Sequence, residues 1–178
     1  MLLRVLGGIA LALGLLAAPA AAQTADVLAP ARAGQLQCFE PNVAAKTCQS
    51  LGGYTFQANG VIDNPAQVLI SPSPAIVMRI SNPVTVRNGA ICGPLTAADI
   101  ARATFTVDGA PASESDTTEI RSSLTQQLSQ MFGHESCLTL TPDGDGFRAS
   151  TTMNGVPQPQ QTQRVIWVGA NDGYRVAP

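Results

Sequence analysis

Charge is scarce in this chain. Asp, Glu, Lys and Arg together make up 12% of its 178 residues, about half the share usual in soluble domains. Lys46 is the single lysine, and the arginines are spread along the sequence. No basic field therefore builds up to attract nucleic acid or anionic lipid. Histidine is scarcer still, with His134 alone. A Ser–His–Asp or Cys–His mechanism would have to run through it. It follows Gly133 at an expected helix end, where a histidine simply caps. There is no Gly-x-Ser-x-Gly elbow, and no His-Glu-x-x-His, because position 138 is leucine. Nor do any two cysteines stand two residues apart, as a dithiol redox site or a zinc knuckle would place them.

Apolar residues are present in quantity, first of all at the N-terminus. "MLLRVLGGIALALGLLAAPAAAQT" joins a short positive region at Arg4, an apolar run from Val5 to Ala18, and small residues around Ala20–Ala22. That is the pattern of a signal peptide spanning residues 1–22, with cleavage after Ala22. The run falls short of the ~20 residues of a membrane-spanning helix. No later stretch is long or apolar enough to span, so no membrane insertion is expected after cleavage. Residues 23–36 are Ala/Pro-rich without periodicity and read as a flexible leader. Residues 37–178 suffice for one domain with a real core.

Four cysteines in an exported chain form an even set, and an oxidising compartment favours disulfides. Three pairings are open, and the preferred one joins Cys38 to Cys48 and Cys92 to Cys137. A helix between Cys38 and Cys48 would hold them ~15 Å apart, whereas a bridge needs Cα atoms ~5.5 Å apart. The chain must therefore reverse near Glu40-Pro41.

Periodicity gives the rest. Val43, Ala44, Thr47, Cys48 and Leu51 fall on one side of a short helix beginning at Pro41 and stopped by Gly52-Gly53. Asn59-Gly60 marks a tight turn, and residues 68–86 alternate as strands do. Pro72, Pro74 and Pro83 are expected to cut these strands short. Thr96 with Asp99 reads as a capping box. "TFTVDGAP" and "STTMNGVP" share a strand, a turn and a proline, which either a duplication or two common turns would explain. Ser113–Phe132 is the most convincing helix, with Ile120, Leu124, Leu128 and Phe132 on one stripe and Glu114, Asp116 and Glu119 in its first turns. The expectation is an α+β domain, in which a mostly antiparallel sheet of short strands packs on that one long helix.

Candidate chemistry is thin. Asp143-Gly144-Asp145-Gly146 suggests calcium, but the loop lacks an oxygen ligand at Phe147, a glycine at Arg148 and a glutamate at Asn154. Glu40, Asp63, Asp99, Glu135 and Asp172 are carboxylates that a hydrolase could pair from separate strands. Trp167 and Tyr174 could stack on a sugar, although alternation along Val165–Val168 puts Trp167 in the core.

Two segments, Cys38-x-x-Pro41 followed by Lys46-Thr47-Cys48 and the terminal "VIWVGANDGYRVAP", resemble uncharacterised exported proteins of proteobacteria. The resemblance runs from about residue 35 onward. It implies an exported, cysteine-stapled domain and transfers no catalytic residue. The sequence thus favours a periplasmic or secreted, non-enzymatic module that needs no cofactor and binds another envelope component. A hydrolase of envelope polymers and an inhibitor-like or stress-protective protein stand as alternatives.

Overall fold

The computed structural model describes residues 26–178. The expected signal peptide lies outside the described residues. Elements follow in the order α1 (Ala29–Arg32), β1 (Gln35–Phe39), β2 (Thr47–Cys48), β3 (Ser50–Gly52), β4 (Thr55–Phe56), β5 (Ile62–Pro72), β6 (Ala75–Arg87) and β7 (Ala90–Pro94). After these come α2 (Ala97–Arg102), β8 (Thr104–Val107), β9 (Ala110–Pro111), α3 (Glu114–Leu128), β10 (Glu135–Asp143), β11 (Gly146–Met153), β12 (Val156–Gly169) and β13 (Arg175–Val176).

Local chemistry sets the reversals. Asn88-Gly89, Asp108-Gly109 and Asn154-Gly155 each place two successive residues at positive φ, the backbone of the two-residue turn that matches strand twist. These turns join β6 to β7, β8 to β9 and β11 to β12. A common turn type accounts for the similarity between "TFTVDGAP" and "STTMNGVP".

The strands do not form an open layer on a helix. Going round, β5, β3, β1, β12, β11, β10, β7 and β6 pair in turn, and β6 pairs back with β5. The result is a closed antiparallel barrel of 8 strands, with 18% helix in all. The α+β expectation is therefore overturned. α3 exists, with Ser113 accepting from the Asp116 amide as its N-cap, but none of its residues is fully buried. It covers one end of the β5–β6 ribbon and does not carry the sheet. What closes the sheet is pairing between distant segments, β1 with β12 and β5 with β6.

An eight-stranded barrel is just wide enough for side chains to fill. One cluster draws Ile62, Val84, Ile91, Leu138 and Trp167 from strands around the ring, with Phe56 of β4 packed against them, so it is the barrel interior. Leu28 enters the same cluster and is completely buried. The region expected to be a loose leader is thus packed structure over its described part. Asp26 holds it there by accepting from the Leu28 amide at 3.0 Å and from Arg32 Nε at 3.0 Å, while the Arg32 guanidinium lies 4.0 Å from the centre of the Phe56 ring.

A second cluster lies on the outer face of β3, β1 and β12. It gathers Leu36, Leu51, Ile166, Val168, Tyr174 and Val176 around the Cys38–Cys48 bridge. The expected helix from Pro41 to Leu51 is absent. Glu40 and Lys46 both take positive φ, the Asn42 side chain accepts from the Ala45 amide, and the chain turns back into β2. There β13 pairs with it in parallel.

A third cluster lies beyond one rim of the barrel, where β5 and β6 run on past it. Val68, Ile70, Met78, Ile80 and Phe105 pack there against Ile100 of α2 and Ile120, Leu124, Leu128 and Phe132 of the α3 region. α2 opens with the expected capping box between Thr96 and Asp99. Pro83 does not cut β6, which continues through it. Along its second edge β6 pairs with β8 up to Arg79 and with β7 from Thr85. Pro83 falls in the gap between them, where its missing N–H breaks no ladder bond. Gly93 of β7 approaches so closely there that a Cβ on it would stand 2.7 Å from the Pro83 carbonyl oxygen.

Candidate functional site

The structure joins Cys38 to Cys48 and Cys92 to Cys137, with Cα atoms 5.4 and 4.1 Å apart. Both bridges follow from register. Cys92 and Cys137 stand directly opposite one another on β7 and β10, and the turn after Phe39 returns Cys48 to the outer face of β1. Glu135 brings a carboxylate near the second bridge, with Oε1 3.7 Å from Cys137 Sγ. This group has the composition of a small metal cluster. Its two sulfurs are bonded to each other, however, and Glu135 is ion-paired with Arg87.

The other sequence candidates are held apart, each by its own structural partner. Glu40 accepts from the Arg164 amide at 2.8 Å, and Asp63 from Gln57. Asp99 is buried, where it accepts from the Thr96 amide at 2.9 Å and from Arg102 at 2.5 Å. Asp172 accepts from the Gly169 amide at 2.7 Å. His134 is exposed, with Nδ1 2.5 Å from Asn154 Nδ2.

Asp143 and Asp145 flank the β10–β11 turn. Asp143 pairs with Arg148 at 2.9 Å and Asp145 with Arg164 at 2.6 Å, and the hydrogen bond from Arg164 holds the Asp145 carboxyl below its ordinary range. Both oxyanions thus answer to guanidinium groups. Trp167 faces the barrel interior with Tyr54 at 6.4 Å between ring centres. Tyr174 packs beside the Cys38–Cys48 bridge.

One polar group inside the barrel has no counterpart in the sequence reading. Gln37, 1% exposed, accepts from the Tyr54 hydroxyl at 2.6 Å, and its Nε2 has no partner among the described residues. Burial holds the Tyr54 phenol well above its ordinary value. The pair lies beside Trp167 on the interior side of the barrel.

One groove with the form of a binding site lies outside the barrel. Between α3 and the extended ends of β5, β6 and β8 runs a groove of about 370 Å³, within the ~300–1,000 Å³ typical of ligand sites. Ile70, Ile76, Val107, Ile120 and Leu124 give it an apolar lining. α3 contributes Asp116, Glu119, Ile120, Ser123, Leu124 and Gln127, a spacing that places them on one helical face. The signal was legible in that spacing, but Asp116 and Glu119 were read as partners of the helix dipole. Both carboxylates are exposed. Asp116 accepts from the Ser113 hydroxyl at 2.7 Å. The nearest helix cation, Arg121, turns away to donate to the carbonyls of Ile100 and Ala103.

No family model, curated protein or solved structure matches this chain.

Proposed function

We propose that the protein is a non-enzymatic, disulfide-stabilised module of the periplasm or the exterior, and that it binds another envelope component through the groove beside α3. The observation that carries this reading is the groove itself, an apolar trough rimmed by polar side chains on the outside of the barrel. The two bridges favour an oxidising compartment, since thiols in the cytosol are kept reduced. A hydrolase finds less support. A carboxyl acting as general acid near neutral pH is tuned to that task by burial, and the two carboxylates of the groove are both exposed.

The test is capture from envelope extract with the mature chain and with Ser123→Trp. Ser123 is exposed on the groove side of α3, so an indole there fills the trough without entering the core. The expected result is a component retained by the native chain and lost with Ser123→Trp, at unchanged circular dichroism and melting. Equal retention by both proteins overturns the assignment of the groove.

A further inference from the structure

The groove's charge and its hydrogen-bonding groups narrow what can occupy it. Its lining includes two carboxylates, Asp116 and Glu119, and no Lys, Arg or His. Glu119 makes no hydrogen bond or ion pair among the described residues. An occupant that placed an anion here would meet uncompensated repulsion, and a neutral one would leave both charges to water. A cation set at the rim, with an aliphatic stem lying on the apolar lining, satisfies both. The stem of a lysine or arginine has that form.

The polar groups indicate the same kind of partner. Ser123 Oγ accepts from Gln127 Nε2 at 2.8 Å. That contact leaves the Ser123 hydroxyl proton free to donate and the Gln127 carbonyl oxygen free to accept. Ser71 adds a second hydroxyl on the opposite wall. One donor and one acceptor close together are what a peptide unit requires, since each carries both an N–H and a C=O.

We infer that the groove takes a polypeptide segment in which lysine or arginine alternates with aliphatic residues. The aliphatic side chains lie against Ile76, Ile120 and Leu124, and the cations meet Asp116 and Glu119. The inference rests on the groove being the binding surface and adds the class of its occupant.

The probe is a short lysine–leucine peptide, titrated into the isotopically labelled mature chain and followed by amide chemical shifts. Shifts are expected at α3 and at the β5 and β6 residues of the groove, with affinity falling as sodium chloride is raised. The double variant Asp116→Asn/Glu119→Gln keeps the cap acceptor and the helix. It should weaken the peptide roughly three- to tenfold, the range expected for two exposed ion pairs. Equal binding of a glutamate–leucine peptide overturns the inference, as do shifts confined to another face or no shifts at all. Self-association through the groove, seen by sedimentation without peptide, overturns it too, because a second copy is then the occupant. If capture from envelope extract is lost with Ser123→Trp yet unchanged in the charge variant, the groove stands and the cationic peptide does not.

Discussion

Removing the Tyr54 hydroxyl and the Gln37 amide one at a time and then together should give costs that do not add. In the native barrel the Tyr54 hydroxyl donates to Gln37 Oε1 at 2.6 Å, while Gln37 Nε2 is already unpaired. Tyr54→Phe takes away the donor and leaves a buried amide with neither end satisfied, which costs about 1–3 kcal/mol. Gln37→Met keeps the length of the chain and deletes the unpaired nitrogen, but it strands the phenol in a largely buried position, at about 1 kcal/mol or more. The double variant carries no orphaned group and should lie within about 0.5 kcal/mol of the native protein or above it. The coupling energy is then about 2–4 kcal/mol, against the ~0.5 kcal/mol scatter of independent sites. Urea unfolding followed by fluorescence is well placed to measure it, because Trp167 is the single tryptophan and lies 6.4 Å from the Tyr54 ring. Each variant should shift the midpoint without changing the slope. Two single-variant costs that sum to the double would refute the claim that one hydrogen bond ties these side chains.

The same phenol gives a pH dependence. Its folded pKa is raised while the unfolded value stays near ~10, so its contribution is complete below about pH 10 and is lost as pH rises further, an alkaline loss that Tyr54→Phe should abolish in urea midpoints. Gly93→Ala should destabilise by about 1–3 kcal/mol in the same assay, because its methyl group would stand 2.7 Å from the Pro83 carbonyl oxygen. Loop length alone makes the Cys92–Cys137 bridge worth more, about 4 kcal/mol against about 2.8 for Cys38–Cys48. Cys38 and Cys48 are both nearly inaccessible, however, whereas of the second pair only Cys92 is, so serine buries one hydroxyl more in the first pair, at about 1–3 kcal/mol. Chemical denaturation of the two serine pairs should therefore find the Cys38/Cys48 pair at least as damaging, and a clear order by loop length would refute that. His134→Gln and Asp145→Asn should each leave capture of an envelope component within about twofold; a hundredfold loss would move the site away from the groove, to the β11–β12 turn beside His134 or to the β10–β11 turn at Asp145.

Local chemistry was legible in the sequence, and closure was not. The Thr96–Asp99 capping box, the Asp/Asn-Gly turns and the stripe from Ile120 to Phe132 depend on residues a few positions apart. The capping box, the turns at Asp108-Gly109 and Asn154-Gly155 and the stripe stand out with nearly the right bounds, whereas the turn at Asn88-Gly89 does not. "QLQCF" gives no such signal, because Gln35–Phe39 becomes a strand only through partners in β3 and in distant β12. The segment after it was misread as a helix because the spacing of Val43, Thr47 and Leu51 suits one. Two residues in left-handed conformation, Glu40 and Lys46, outweigh that spacing. The bridges were legible because an even set of cysteines leaves few choices. The groove was half legible. Asp116, Glu119, Ser123 and Gln127 share a helical face in any reading, but only the overrun of β5 and β6 beyond the barrel supplies the opposite wall.

The seam between β1 and β12 also sets the order in which the molecule can assemble. Gln35–Phe39 pairs with Val165–Gly169, so one of the first strands of the chain waits for the last long one. In a chain threaded N-terminus first across a membrane, β1 emerges long before its partner. Until then the cylinder stays open, with its apolar lining and the edge of β1 uncovered, the condition in which unpaired strands meet other chains. Pairings this remote in sequence also fold slowly. The short β1–β3 hairpin, locked by Cys38–Cys48 as soon as residues 38–52 are out, gives that edge an early partner on one side. In a chain exported that way the first bridge would be a temporary guard on an unfinished seam as well as a fixture of the finished one.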